Sequence, residues 1–411
     1  MLSRRVVVTG MAGFSPIGND WERIHASLLA KRSGIRYLPD WEKYNGLLTR
    51  LGAPVENFEL PAHYTRKNTR SMGRVSLLAT RATELALIDA GLLGDPIVSS
   101  GRTGVAYGSS VGSTPAIADF GKMLINQDIG NLNATTYLKM MGHTSTANVA
   151  LFFQVRGRVI PSVSACTSGS QGVGFAYEAI KFGLQDVMLA GGAEELCPTE
   201  AATFDALYAT STRNDTPELT PRPFDRDRDG LVIGEGGCTL VLEELQHALQ
   251  RGANIYAEVA GFATNADGTH VTQPNAETMQ IVMRLALEDA AISPADIAYI
   301  SAHGTATEQG DIAESHATWA VFGSGTPISS LKSYTGHTLG ACGALEAMVS
   351  IRMMRENWFH PTLNLDHPDP RCAELDYITG DGRRIESEYV MSNNFAFGGV
   401  NTSLVFRRWK T

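Results

Sequence analysis

The sequence is poor in several things that would each have pointed elsewhere. It has five cysteines, Cys166, Cys197, Cys238, Cys342 and Cys372. The number is odd and no C-x-x-C pair occurs, which argues against a disulfide framework or a zinc ribbon. No stretch of 18 apolar residues is present, so no helix is expected to span a membrane. Basic residues near the start precede Val6-Val7-Val8, an apolar run too short for a signal peptide. Positive charge is in deficit, with 34 Lys and Arg against 43 Asp and Glu and a net charge of −9. That balance speaks against a general nucleic-acid binder, a local basic patch aside. Charged residues make up only 19% and apolar ones 43%, so the chain is not of the disordered kind. These features predict a cytoplasmic, soluble protein kept in a reducing compartment.

Glycine, by contrast, is plentiful at 41 residues, much of it in short clusters that suggest tight turns. The chain also resembles itself. Val6 to Gly10 is echoed by Ala257 to Gly261, each a short apolar run ending in glycine. Glu84 to Leu92 matches Arg284 to Ile292, both apolar at helical spacing, and Gly104 to Gly108 matches Ala298 to Ala302 as buried strands. Gly169 to Gly172 with Glu178 pairs with His337 to Gly340 with Glu346, and Asp186 to Met188 pairs with Tyr389 to Met391. Alternating strands and helices imply largely parallel sheets covered by helices. Two such halves, 1–252 and 253–411, imply an α/β chain with a layered α/β/α/β/α core. Residues 113–160 interrupt the first half with little periodicity, as a functional loop or partner surface would.

The chemistry concentrates at three points. Val159 to Ala165 reads as a strand, Cys166 ends it, and Gly169, Gly172 and Gly174 open a helix. Cys166 is therefore expected near a helix N-terminus, where free amides and the dipole favour a thiolate. The other four cysteines read as buried and inert. His303 ends a second strand, and His337 lies in a further glycine-punctuated turn. Strand ends on one edge of an α/β sheet are where ligands bind. One thiol and two imidazoles could hold zinc, but none has the local pairing of a zinc motif and no fourth ligand is evident. Acyl transfer suits them better: the thiolate takes an acyl group while two imidazole N–H groups hold a developing oxyanion or enolate.

Ser164-Ala165-Cys166-Thr167-Ser168-Gly169, His303-Gly304-Thr305-Ala306-Thr307 with Asp311, Lys332-Ser333 followed by Gly336-His337, and Asn393-Asn394-Phe395-Ala396-Phe397-Gly398-Gly399 stand in one order along the chain. With Arg222-Pro223-Phe224-Asp225 they resemble the motifs of elongating β-ketoacyl-acyl-carrier-protein synthases. The resemblance spans nearly the whole chain and implies a thiolase fold, an obligate dimer and no redox cofactor or metal. It also implies roles. Cys166 accepts the acyl group. His303 and His337 assist malonyl decarboxylation. Lys332, paired with Glu346, supports them. The amides of Cys166 and Phe397 form an oxyanion hole, and Phe397 gates the acyl pocket. Thr305 and Thr307 meet the phosphopantetheine arm of an acyl-carrier protein, with Phe395 nearby and Asp311 in support. The partner in the dimer is a second copy or a related ketosynthase-like subunit. A non-catalytic chain-length-factor-like subunit and a coenzyme A thiolase are the alternatives; retention of Cys166 argues against the first, and the absence of a second cysteine near the C-terminus against the other.

Three departures from the family pattern stand out: Leu231 where an aromatic is usual, Ala396 where glycine is usual, and Val400 for threonine. Alanine at 396 is expected to restrict positive φ and so the gate. Lys67, Arg70, Arg74 and Arg81 fall on one face if their segment is helical, and with Arg213 they are candidates for docking an acidic carrier. Val111, just beyond the strand Gly104 to Gly108, is a candidate for the acyl-pocket wall.

Overall fold

The computed structural model describes residues 3–130 and 132–410. Its main sheet is built from β1 (Val6–Phe14), β2 (Thr103–Gly108), β3 (Val159–Pro161), β4 (Val187–Glu194), β5 (Gly236–Glu244), β6 (Ala257–Ala266), β7 (Ile297–Ser301), β8 (Pro327–Ser329), β9 (Asp376–Tyr377), β10 (Tyr389–Phe395) and β11 (Val400–Arg408). Their order across the sheet is β9-β8-β7-β10-β11-β6-β1-β5-β4-β2-β3. The duplication is visible in it. Leaving aside the two-residue edge strand β9, the strands of each half run third, second, fourth, fifth, first: β3-β2-β4-β5-β1 and β8-β7-β10-β11-β6. The halves join where Val6 to Val8 pair antiparallel with Val259 to Ala257. The expectation of largely parallel sheets is corrected here. β2 is parallel to β3 and β4, and β7 to β8 and β10, but β5 and β11 run antiparallel to their neighbours.

The helices that matter are α1 (Arg74–Asp89), α2 (Thr114–Asn126), α3 (Ala134–Met140), α4 (Thr144–Phe152), α5 (Ser168–Lys181), α6 (Pro198–Asp205), α7 (Ala276–Asp289), α8 (Glu308–Phe322), α9 (Lys332–Thr335) and α10 (Cys342–Glu356). α1 buries Val75, Leu78, Ala79, Ala82 and Ala86, a one-sided stripe that packs on the outer face of β1 and β5. α7 does the same for β6 and β11, with α8 against it. α5 and α10 lie between the two sheet halves and touch both each other and strands. α10 is buried nearly all round, as a helix in a middle layer must be. The result is five layers, α/β/α/β/α. Residues 113–160 are not the aperiodic loop their sequence suggested. They form α2, α3 and α4, and α2 and the turn after it leave Leu124, Ile125 and Ile129 exposed.

α5 and α10 meet at their first turns. A Cβ on Gly169 would come 2.8 Å from the Gly340 carbonyl, and one on Gly343 would come 2.6 Å from the Ser170 amide. Only glycine lets two backbones approach so closely. Gly169 and Gly343 occupy equivalent places, one residue into each helix. The sequence pairing of Gly169 with His337 was therefore displaced: His337 lies ahead of the turn that precedes α10, not within the helix.

Candidate active site

Each of the two central helices is entered through a 3-10 turn, Ala165–Thr167 before α5 and Leu339–Ala341 before α10. Both turns begin with a non-glycine residue at positive φ, Ala165 at 51° and Leu339 at 43°. Such backbone costs about 1–3 kcal/mol and persists where its surroundings over-determine it. In the first turn it swings the following residue, Cys166, into the crossing of the two helices. Cys166, His303 and His337 are all buried, at 3%, 4% and 1% exposure. Cys166 Sγ lies 2.9 Å from His337 Nε2. The two imidazole rings are 5.1 Å apart and nearly perpendicular.

The tautomers follow from the other ring nitrogens. His337 Nδ1 accepts the Leu339 amide at 3.3 Å. His303 Nδ1 faces the Lys332 ammonium at 3.1 Å and the Asn394 side-chain amide at 3.3 Å, both donors. Each Nδ1 is thus an acceptor, which leaves the proton of each neutral imidazole on Nε2. Burial and the nearby Lys332 charge hold both histidines well below the ordinary imidazole range. They are neutral donors. Lys332 is itself neutralised by Glu346, Nζ to Oε1 2.6 Å, with both side chains about 1% exposed. Asn394 closes the ring with a 2.6 Å bond to the other oxygen of Glu346.

The thiol does not behave as expected. Proximity to a helix N-terminus predicts a lowered pKa, yet burial pushes Cys166 up to about 11, with the amides of Phe397 and Cys166 and the Lys332 charge pulling against it. The resting sulfur is a thiol. Those two amides point at it and would equally serve an oxygen in its place.

Around this centre lies a cleft of about 830 Å³. Thr305, Thr307, Phe395 and Phe397 line it, and the Thr305 and Thr307 hydroxyls are 2.9 Å apart. Phe397 meets Phe204 edge to face at 6.0 Å. The concern about Ala396 does not hold in this structure: its φ is not positive, and the left-handed positions fall on Gly398 and Gly399. Leu231 packs with Cys166, Leu339 and Ala396 beneath the cleft. Asp311 accepts the amides of Phe224 and Ala306 and so ties the Arg222 to Asp225 segment to the loop after His303.

Other placements differ. A continuous helix through Lys67 and Arg81 does not form. The chain breaks between helix Arg66–Thr69 and α1. Lys67 and Arg70 are exposed. Arg74 is held by Glu235 and lies over the ring of Phe58, while Arg81 is held by Glu84, so neither guanidinium is free for a partner. Arg213 bonds the Asp227 carbonyl at 2.7 Å. Val111 is half-buried behind Ser110, whose amide is held by Glu194, and it is not among the described residues that line the cleft. Sequence reasoning assigned no role to Asn394, although it quoted the motif containing it, and missed Glu314 altogether. Glu314 accepts the amides of His303 and Gly304 at 2.7 Å each, and burial raises it to about 8. Its only sequence signal is its place three residues after Asp311, on the same helix face.

Family models for the beta-ketoacyl synthase N-terminal domain and C-terminal domain match residues 3–248 and 256–366. The chain belongs to the beta-ketoacyl synthase family. Among its relatives, 3-oxoacyl-[acyl-carrier-protein] synthase 2 of Vibrio cholerae is 38% identical over 99% of this chain and 100% of its own length. A beta-ketoacyl synthase from Burkholderia phymatum is 59% identical, with a TM-score of 0.98 over 99% of this chain and 100% of that one. A type II PKS ketosynthase, solved in complex with its acyl-carrier protein and bound to the hexaketide, is 32% identical with a TM-score of 0.87, over 99% and 100%. As a beta-ketoacyl synthase, the chain presents its thiol and both imidazoles to one cleft. Their ligating atoms lie within 4.8 Å of one another, close enough for an ion, but the Lys332 ammonium beside His303 already supplies positive charge there.

Proposed function

We propose that this synthase extends an acyl chain by two carbons, condensing an acyl group held on Cys166 with malonyl-acyl-carrier protein as carbon dioxide leaves. The observation that carries the reading is the paired tautomers: both Nδ1 atoms are occupied as acceptors, so two neutral Nε2–H donors flank the sulfur. Cys166 attacks the acyl thioester, its proton departs with the carrier thiol, and the amides of Cys166 and Phe397 hold the oxygen of the tetrahedral adduct. Malonyl thioester then enters. Loss of carbon dioxide leaves an electron pair as an enolate, whose oxygen sits between the two Nε2–H groups. Neutral donors suit this step, because they stabilise the enolate without protonating its carbon. The carbanion attacks the acyl carbonyl, Cys166 leaves as thiolate, and with its pKa near 11 it regains a proton.

Thr305 and Thr307 meet the pantetheine arm at the cleft mouth, and Phe397 closes over the acyl group. The exposed pair Lys67 and Arg70 receives the acidic carrier, without Arg74. The chain acts in the cytoplasm as a dimer, with a second copy or a related ketosynthase-like subunit. The test is intact-mass spectrometry: an acyl adduct on Cys166, then a product two carbons longer once malonyl carrier is added. An adduct elsewhere, or none, overturns the reading.

A further inference from the structure

One buried group near the site has no use in that mechanism. Glu200, on α6, is 4% exposed, and neither carboxyl oxygen has a hydrogen-bond partner among the described residues. The Cys197 amide offers it partial help without a full hydrogen bond. Leaving a buried polar group unmatched costs about 1–3 kcal/mol, more for a charge. Burial, together with Glu194 and Glu195 nearby, raises this carboxyl well above its ordinary range and so favours the protonated form, which has one O–H to give and a carbonyl oxygen to receive.

Its place on the helix says what it faces. Residues four apart share a helix face. Phe204, one turn on from Glu200, lines the cleft and meets Phe397, and Ala201 packs in the apolar cluster that holds Cys166. The opposite face, with Thr199, Ala202 and Ala206, lines a separate groove. Glu200 therefore shares the helix face of Phe204, one turn toward the helix N-terminus, and not the face that lines the groove. The side chains that pack with Cys166 in that cluster, Leu231, Ile233, Leu339 and Ala396 among them, are apolar.

We propose that Glu200 is a specificity-determining residue that hydrogen-bonds an oxygen substituent, a hydroxyl or keto group, on the acyl chain carried by Cys166. This rests on the condensation reading above. An alkyl chain leaves the carboxyl unmatched; an oxygenated chain satisfies it. Pockets built around a polar contact discriminate sharply against analogues that lack it.

The test measures acylation of Cys166 by two thioesters matched in length, one alkyl and one bearing a hydroxyl near its far end. The wild-type enzyme should favour the hydroxylated chain. Glu200→Leu should lower the hydroxyl-to-alkyl ratio of kcat/KM by about tenfold, while raising the melting temperature, because an unmatched polar group has gone. Glu200→Gln, which keeps a donor and an acceptor, should retain most of the preference. Acylation of Cys166 with the same ratio in all three proteins overturns this inference alone. No acylation of wild-type Cys166 by either thioester sinks the condensation reading and this inference together. Failure of both variants to fold would make Glu200 a structural residue and also overturn it.

Discussion

In the first half of the molecule the turn before α5 carries the thiol. In the second, the equivalent turn before α10 carries Gly340, and the chemistry moves outward to His337 ahead of the turn and to His303 at the end of β7. The surroundings differ as much as the residues. Cys166 is touched by backbone amides, an imidazole and apolar side chains. His303 is held by Lys332 and Asn394, both of which Glu346 holds in turn, and its loop by Glu314 and Asp311. A nucleophile needs a free lone pair and room for a carbonyl. A donor needs its tautomer and angle fixed before the reaction begins. The duplicated scaffold offers two equivalent helix entrances, and each half meets one of those needs.

The sharpest way to break this division is to remove the proposed nucleophile. Cys166→Ala should lower condensation at least about a thousandfold, while Cys166→Gln still releases carbon dioxide from malonyl carrier through the other half. Labelled acyl carrier that still acylates another cysteine in the alanine variant would defeat the assignment.

The reciprocal change comes next. His303→Ala should cut decarboxylation by about 10²–10³-fold, the usual loss for one oxyanion donor, with a smaller effect on acylation of Cys166. Equal losses in both half-reactions would mean that the halves do not divide the labour. Lys332→Met leaves Glu346 buried without its partner and should cost about 3–5 kcal/mol in denaturant unfolding. Adding Glu346→Gln should recover much of that stability but not the activity, because His303 Nδ1 has lost the closer of its two donors and the charge beside it.

Smaller effects sharpen the picture. Both histidines stay neutral in the fold well below 6.5, whereas the unfolded chain protonates them near 6.5. Below that pH the unfolded state binds more protons, so stability is lost as pH falls through 6.5. His337→Gln removes one such site, and its melting temperature should fall less between pH 7 and pH 5 than that of the wild type. An equal fall would mean that His337 is charged when folded. Charge reversal at Lys67 and Arg70 should raise KM severalfold for carrier-bound substrate and less for a minimal thioester; equal effects would remove that patch from docking.

Much of the site was legible because it sits at punctuation. Cys166, His303 and His337 each end a strand or precede a glycine-rich turn, and such boundaries show in sequence. Helices hidden in residues 113–160 were not legible, because their apolar positions are short and interrupted. Arg74 and Arg81 looked like a basic face because spacing shows neither the break before α1 nor their acidic partners, and Glu235, for one, is far away in sequence.

The duplication, the α/β class, the three reactive side chains and their family are properties of the sequence alone, since periodicity and motif order are local. The close crossing at Gly169 and Gly343, the two tautomers and the neutral state of the thiol were decided only by tertiary structure. The physical reason is the same for each. They depend on which distant groups share a dry, low-dielectric space, where one amide or ammonium a few ångströms away outweighs the local helix dipole, and burial outweighs both.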